Sequence, residues 1–129
     1  MRRPLLALLP ALAYAALIFW LSSQPDPLPF VPRPWLAQDK LIHAAEYAVL
    51  AALLVLGLRL LGARPWIAVL AAVVLASAYG ASDEFHQSFV PGRDADVRDW
   101  VADTVGAVLG ASLAHAVLRR RGSQASIAR

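Results

Sequence analysis

Residues 39–61 read DKLIHAAEYAVLAALLVLGLRLL, and this stretch is almost entirely apolar after its first few residues. An α-helix needs about 20 such residues to cross the hydrocarbon core of a bilayer. Between residues 48 and 58 there is no polar side chain, so a helix there would have no face to present to water. The stretch therefore predicts a membrane-spanning helix.

Three further apolar runs occur at residues 4–21, 66–81 and 100–118. The run at 66–81 is short, and we expect its helix to continue into residues 82–89. Hydrophobic residues make up 59% of the chain, above the roughly 45–50% that is usual in soluble domains. The sequence predicts an all-α protein, an integral membrane four-helix bundle. Its helices are expected at about 4–21, 40–61, 65–88 and 97–118, in one domain spanning 1–121, followed by a polar, disordered tail at 122–129.

The arginines predict how the helices are oriented. Arg59 and Arg64 flank one predicted loop, and further arginines lie at residues 2–3 and 119–121. The positive-inside rule places all of them in the cytoplasm, with both termini. The chain is thus expected to be a multi-pass protein of the bacterial cytoplasmic membrane. A cleaved signal peptide, with Ala13-Tyr14-Ala15 as its cleavage site, is the alternative for the first run.

The same placement argues against a nucleic-acid partner, although the net charge is +3. The arginines flank apolar segments, and no basic stripe with interleaved aromatic residues follows them. The chain has no cysteine, which excludes disulfides, thiolate nucleophiles and cysteine-based metal sites.

The acidic residues gather at the predicted extracytoplasmic side, where they share helix faces with other polar groups. Helical periodicity gives each of three helices one polar face. Because unpaired ionisable groups near hydrocarbon are costly, these faces should turn toward one another. The faces are Asp39, His43, Glu46, Tyr47 and Leu50; Gly80, Asp83, Glu84 and Gln87; and Asp96, Asp99, Asp103, Gly106 and Gly110.

Some of these residues also have purely structural interpretations. Asp39 and Asp96 can be helix N-caps, and Asp96 can begin a capping box. His43, Glu46 and Asp103 can form a hydrogen-bonded trio that fastens the second helix to the fourth. We expect Arg98 to form only surface ion pairs, His86 to lie at the membrane interface and His115 to pack against a neighbouring helix.

The chemistry available on these faces leaves several possibilities open. Neighbouring carboxylates can supply an acid and a base, and cations can hold a phosphate or a carboxylate. A divalent cation is possible, but no spacing matches a metal signature, so we assign no metal ligands. We predict catalytic roles for Asp83, Glu84 and His43, and binding roles for Asp39, Lys40, Tyr47, Gln87, Arg93, Asp99 and Asp103.

Four blocks with distinctive polar residues follow one another along the chain. They read FWLSSQP at 19–25, DKLIHAAEY at 39–47, SDEFHQSFVPGR at 82–93 and DWVADTVGAVLG at 99–110. Their content and order resemble the VanZ-like family of small bacterial membrane proteins, named for a member that gives low-level teicoplanin resistance. The resemblance implies a role in the cell envelope. Asp103 departs from the family pattern, which often has Asn there, so it should be protonated or paired with His43 or Arg93.

Three hypotheses follow. The first is an envelope protein whose polar site engages a lipid headgroup or lipid-linked cell-wall precursor and so affects glycopeptide sensitivity. The second is a membrane-embedded hydrolase or transferase acting on a lipid phosphate or lipid-linked precursor. The third is a helix bundle in which the polar groups only fasten the helices. Transport is the least expected, because one four-helix protomer is small for an alternating-access pathway. The sequence does not predict the oligomeric state.

Overall fold

The structure, a computed structural model, describes residues 4–26, 29 and 36–127. This described part consists of a 3-10 turn and four α-helices and contains no strand, which confirms the all-α class. The 3-10 turn is Pro4–Ala7, and the helices are α1 (Leu9–Ser22), α2 (Leu36–Leu60), α3 (Pro65–Gln87) and α4 (Val97–Ile127).

Among the described residues, α2, α3 and α4 are long and apolar enough to cross a membrane. The 23 residues of α3, at 1.5 Å each, extend about 35 Å, against about 30 Å for a bilayer core. By contrast, α1 has 14 residues and extends only about 21 Å. The described part of the chain therefore contains three membrane-length helices and one short apolar helix.

The predicted first helix begins later than expected. Residues 4–7 form the separate 3-10 turn, and α1 starts at Leu9 with Pro10 in its first turn. A proline lacks the N–H that a helix interior needs, and its ring clashes with the carbonyl four residues earlier. Pro10 thus prevents one continuous helix from residue 4.

The predicted disordered tail is wrong as far as Ile127, because α4 continues to that residue. Adding a residue to a helix that has already formed costs little, and Ala, Arg and Gln are good helix formers. One glycine, Gly122, costs only about 1 kcal/mol and does not end the helix. At the other end of the bundle, α2 begins at Leu36, one turn before the predicted start.

The closest helix pair is α2 with α4, which run parallel. A Cβ atom at Gly106 would overlap the carbonyl oxygen of Ala44, and one at Gly110 would overlap that of Ala48. The two backbones therefore touch, as the small-residue spacing of α4 allows. This contact places the polar beginnings of α2 and α4 side by side.

The helix α3 runs antiparallel to this pair and packs across it. Ser77 Oγ and Thr104 Oγ1 are 2.8 Å apart, and Trp100 Nε1 donates to the Ser77 carbonyl at 3.0 Å. In turn, α1 lies along α3, where the Tyr79 hydroxyl donates to the Ala15 carbonyl at 2.6 Å. The same end of the bundle thus holds the beginnings of α2 and α4 and the ends of α1 and α3.

Small side chains fill the interior and large apolar ones cover the outside. Ala51, Ala72, Ala76, Ala107 and Ala111 are fully buried, whereas Trp20, Leu70, Leu109 and Leu113 are each more than half exposed. A soluble protein rarely exposes so much apolar surface, while small interior residues allow helices in lipid to approach closely. This distribution of small buried and large exposed apolar residues is typical of a membrane helix bundle.

Candidate functional site

A buried polar cluster lies between α2 and α4, one turn before Gly106 on α4. His43 Nδ1 is 2.9 Å from Asp103 Oδ1, and His43 Nε2 is 3.8 Å from Asp99 Oδ2. Asp103 is completely buried, and His43 and Asp99 are buried as well. His43 is thus the partner that was expected for Asp103, which stands where the resembling family often has Asn. Glu46 does not join this pair in the described structure, so the predicted trio is only a pair.

Lys40 extends this cluster toward the end of the bundle. Its ammonium group binds Asp99, and it also lies 3.3 Å from Asp96 Oδ2 and 3.6 Å from Asp39 Oδ2. Lys40 is partly exposed and Asp39 is mostly exposed, whereas Asp99 is buried. The cluster therefore runs from the surface of the bundle into its interior.

The helix α3 contributes Glu84, which contacts the beginning of α4. Glu84 Oε2 accepts a hydrogen bond from the backbone N–H of Asp96 at 2.9 Å. In a capping box, that N–H would be bonded by the side chain at position 99. Here Asp99 binds Lys40 instead, so the predicted capping box does not form and Glu84 takes its place. We call Lys40, His43, Glu84, Asp99 and Asp103 the polar site.

Asp96 is the N-cap of α4, as the sequence suggested. Its Oδ1 accepts the backbone N–H of Arg98 at 2.8 Å, and this bond, with help from Lys40, lowers the pKa of Asp96 below its usual value. Asp39 is not an N-cap, because α2 has already begun three residues earlier. Its carboxylate is free to face Lys40.

Three buried oxygen atoms of this region have no hydrogen-bond partner within the described structure: Asp103 Oδ2, Glu84 Oε1 and the Tyr47 hydroxyl. Gly80 of α3 provides the room that two of these side chains occupy. A Cβ atom at Gly80 would lie 2.9 Å from Asp103 Oδ2 and 3.3 Å from Tyr47 Cε1. Unpartnered buried polar atoms are costly, so they identify the place where a ligand, water or ion would be stabilised.

Asp83 and Gln87 form a second network, which faces α1. Gln87 Nε2 donates to Asp83 Oδ2 at 3.1 Å and lies 3.4 Å from Ser22 Oγ. All three residues are buried. The two neighbouring acids of α3 are thus divided: Glu84 contacts α4, while Asp83 is tied to Gln87.

Two polar residues near the end of α1 were missed as functional candidates. Ser22 is buried against Gln87, and Ser23 Oγ lies 3.0 Å from His86 Nε2. The His86 ring also stacks on Phe19, with centroids 4.6 Å apart. Both serines belong to the FWLSSQP block, which was the signal that could have identified them.

The structure thus brings together most, but not all, of the predicted site residues. Arg93 lies half-buried in the loop after α3, within electrostatic range of Glu46 and not in the polar site itself. Tyr47 lies next to the site, one turn after His43 on α2. The residues that converge are Asp39, Lys40, His43, Glu84, Asp99 and Asp103.

A groove of about 350 Å³ opens beside Glu84, between α3 and α4. Its walls are mainly apolar and include Phe85, Val97 and Trp100, while Glu84 and Asp96 supply its polar groups. A ligand with both a polar and an apolar part would match these walls.

Two sets of side chains could each hold a metal ion. His43, Glu84 and Asp103 offer donor atoms within 4.8 Å of one another, and so do Asp39, His43 and Asp99. Both sets use His43, whose Nδ1 faces Asp103 and whose Nε2 faces Asp99.

The apolar outer surface and the membrane-length helices are those of a membrane protein. Its candidate functional site is the buried polar site at one end of the bundle. The family model described as VanZ/LLP1 matches residues 6–119, so the chain belongs to the VanZ/LLP1 family. The resemblance of the four sequence blocks is thereby confirmed, and the matched range contains the whole polar site. No curated protein and no solved structure matches the chain.

Proposed function

We propose that the chain is a multi-pass protein of the bacterial cytoplasmic membrane, with both termini in the cytoplasm and the polar site on the outer side. Two features support this orientation. Arg59 and Arg64 flank the loop at the opposite end of the bundle from the polar site. The arginines at 119–121 lie toward that same end, so the positive-inside rule is satisfied.

The polar site would engage the headgroup of a lipid or the polar part of a lipid-linked cell-wall precursor. The observation that carries this proposal is the convergence of Lys40, His43, Glu84, Asp99 and Asp103, from three helices, around buried oxygens that have no partner. Helix packing alone does not require oxygen atoms that are left unsatisfied.

The charges at the site favour particular chemistry in the ligand. Glu84, Asp99 and Asp103 face Lys40 and His43, and Lys40 is already held by carboxylates. Spare acceptors therefore outnumber spare donors. Hydroxyl, amide or amine groups, which donate hydrogen bonds, would be stabilised there.

The groove between α3 and α4 supports a ligand that is anchored in lipid. Phe85 and Val97 line the groove and are strongly exposed, so an acyl or prenyl chain could lie against them while its polar end reaches Glu84. Such a ligand would approach from the membrane and not through the aqueous phase.

Engagement of a cell-wall precursor would alter sensitivity to glycopeptides, which act on such precursors. The test is the minimum inhibitory concentration of teicoplanin in a sensitive bacterium that expresses the wild type or Glu84→Gln. Asp94→Asn is the matched control, because Asp94 is an exposed acid of the same loop. We expect Glu84→Gln to lose the effect and Asp94→Asn to keep it. Equal susceptibility for all variants and the empty vector would contradict the proposal.

A second candidate function is a membrane-embedded hydrolase or transferase acting on a lipid phosphate. The observation in its favour is the 2.9 Å bond between His43 and buried Asp103, because a carboxylate that orients a histidine is a recurring arrangement in general-base catalysis. Glu84 would supply a second carboxylate. Lipid extracts from cells expressing the wild type or Glu84→Gln distinguish the candidates. A product that the variant does not make supports catalysis, whereas identical lipids with altered susceptibility support binding alone.

A further inference from the structure

Three helices each present one side chain to a single point beneath Lys40. His43 comes from α2, Glu84 from α3 and Asp103 from α4, and each offers a donor atom within 4.8 Å of the others. We propose that these three side chains bind one divalent metal ion. The proposal does not depend on which lipid or precursor the protein engages, because the ion would be held by the chain's own residues alone. Where it is bound, the ion takes the place of a ligand's hydrogen-bond donors at the unpartnered carboxylate oxygens.

Two unsatisfied atoms point independently to a ligand at this position. Asp103 Oδ2 and Glu84 Oε1 have no partner in the described structure, and the two residues are 0% and 8% exposed. A carboxylate oxygen buried without a donor is strongly unfavourable. A cation held by these two carboxylates would supply the positive charge that their buried, unpartnered oxygens lack.

Charge balance gives a second reason. When ionised, Glu84 and Asp103 carry two negative charges in a low-dielectric interior, and a His43 ring that has given up its proton to bind a metal ion offsets neither of them. Lys40 is close, but its ammonium group binds Asp99 and lies 3.3 Å from Asp96. The hydrogen bonds of Lys40 thus go to other acids, so a divalent ion would balance Glu84 and Asp103.

The donor spacing suits a metal ion after a modest adjustment. His43 Nδ1 and Asp103 Oδ1 are 2.9 Å apart, so both can reach an ion at about 2.1 Å with an angle of roughly 90° between them. Glu84 needs to move by about 1–2 Å at most, because the donor atoms lie within 4.8 Å of one another and ligands of one ion are usually about 3–4 Å apart. The missing side chain of Gly80 leaves Asp103 the room for this arrangement.

The donor types indicate the class of ion. One imidazole nitrogen with two carboxylates suits Zn²⁺, Mn²⁺ or Fe²⁺, whereas Mg²⁺ and Ca²⁺ prefer oxygen alone. Binding would replace the proton between His43 and Asp103 and release it to solvent. Asp99, 3.8 Å from Nε2, would then orient the far side of the ring.

The test is metal binding by the full chain, purified in detergent and stripped with chelator. Mn²⁺, Zn²⁺, Mg²⁺ and Ca²⁺ are titrated separately, and bound metal is measured after desalting. We expect about one Mn²⁺ or Zn²⁺ per chain, with at least tenfold weaker binding in Glu84→Gln and unchanged binding in Asp94→Asn. Two results would overturn the proposal. One is that the wild type binds no more Mn²⁺ or Zn²⁺ than Glu84→Gln does, and the other is that it binds only Mg²⁺ and Ca²⁺.

A spectroscopic measurement on the wild type keeps the test decisive even if a variant does not fold. Pulsed electron paramagnetic resonance of Mn²⁺ on the wild type should show coupling to an imidazole nitrogen. The coupling should disappear in His43→Ala and persist in His115→Ala, the matched control on α4. Mn²⁺ bound without nitrogen coupling in the wild type, or coupling that survives in His43→Ala, would place the ion elsewhere and contradict the assignment. Teicoplanin susceptibility is not part of either readout, so the metal site and the proposed function can fail separately.

Discussion

His43 on α2 and Asp103 on α4 are joined by a 2.9 Å hydrogen bond between two helices that run parallel. The bond lies one turn from Gly106, where the backbones of the same helices touch. The close contact brings the two side chains together, and the bond in turn fixes the level at which the helices meet. Packing and the polar site are thus mechanically linked.

This linkage predicts an energetic coupling between the two residues. In a double-mutant cycle of His43→Ala and Asp103→Ala, we expect a coupling of about 1–2 kcal/mol in the free energy of unfolding, since both side chains are buried. Reversible unfolding in mixed micelles measures it. Additive effects, with coupling below about 0.3 kcal/mol, would mean that the bond contributes nothing to the fold.

The helix contact predicts opposite effects for two glycines of α4. In Gly106→Ala, the new methyl group meets the Ala44 carbonyl, which is backbone and cannot rotate away, so α2 and α4 must separate and the melting temperature should fall by several degrees. Gly122→Ala is the matched control, because nothing lies within 4 Å of its Cβ position. It should be neutral or stabilising by up to about 1 kcal/mol. Equal effects of the two substitutions would contradict the observed contact.

Gly80 predicts a change at the site without a large change in the fold. In Gly80→Ala the methyl group meets Asp103 Oδ2, the end of a side chain that can move. We therefore expect altered teicoplanin susceptibility and weaker Mn²⁺ binding, with a melting temperature that falls much less than in Gly106→Ala. Wild-type behaviour in both functional assays would mean that the position of the Asp103 carboxylate is unimportant.

The absence of cysteine makes the proposed orientation directly testable. Asp94→Cys lies in the loop between α3 and α4, and Leu61→Cys follows the end of α2; both positions are exposed. A membrane-impermeant maleimide added to spheroplasts should label Asp94→Cys at once and Leu61→Cys only after permeabilisation. The reverse pattern would place the polar site in the cytoplasm.

The helix faces could be predicted from the sequence because they depend on a local period. His43 lies one turn after Asp39, and Asp103 lies one turn after Asp99, so each pair had to share a face. The Gly106 and Gly110 spacing also predicted a close approach. The sequence could not predict that Ala44 and Ala48 contact these glycines, because α2 and α4 are not neighbours along the chain.

The remaining contacts of the site depend on distances between separate helices. Glu84 bonds the backbone N–H of Asp96, and a backbone donor leaves no trace in the sequence. The proposed metal ligands are likewise spread over 60 residues, with no fixed spacing such as two histidines on one helix would give. The start of α1 could have been predicted, since Pro10 was visible as a helix breaker.

The most direct test of the central claim is a pair of measurements on Glu84→Gln: the melting temperature in detergent and the teicoplanin susceptibility of expressing cells. Gln keeps the shape of Glu84 and an oxygen that can accept the Asp96 N–H, but it removes the charge. If the polar site serves a ligand, the melting temperature should stay within about 2 °C of wild type while susceptibility returns to the empty-vector level. A loss of stability that accompanies the loss of effect would show that the buried acid only holds the bundle together. A variant that still acts like wild type would show that the charge of Glu84 has no part in the function, and either result contradicts the account.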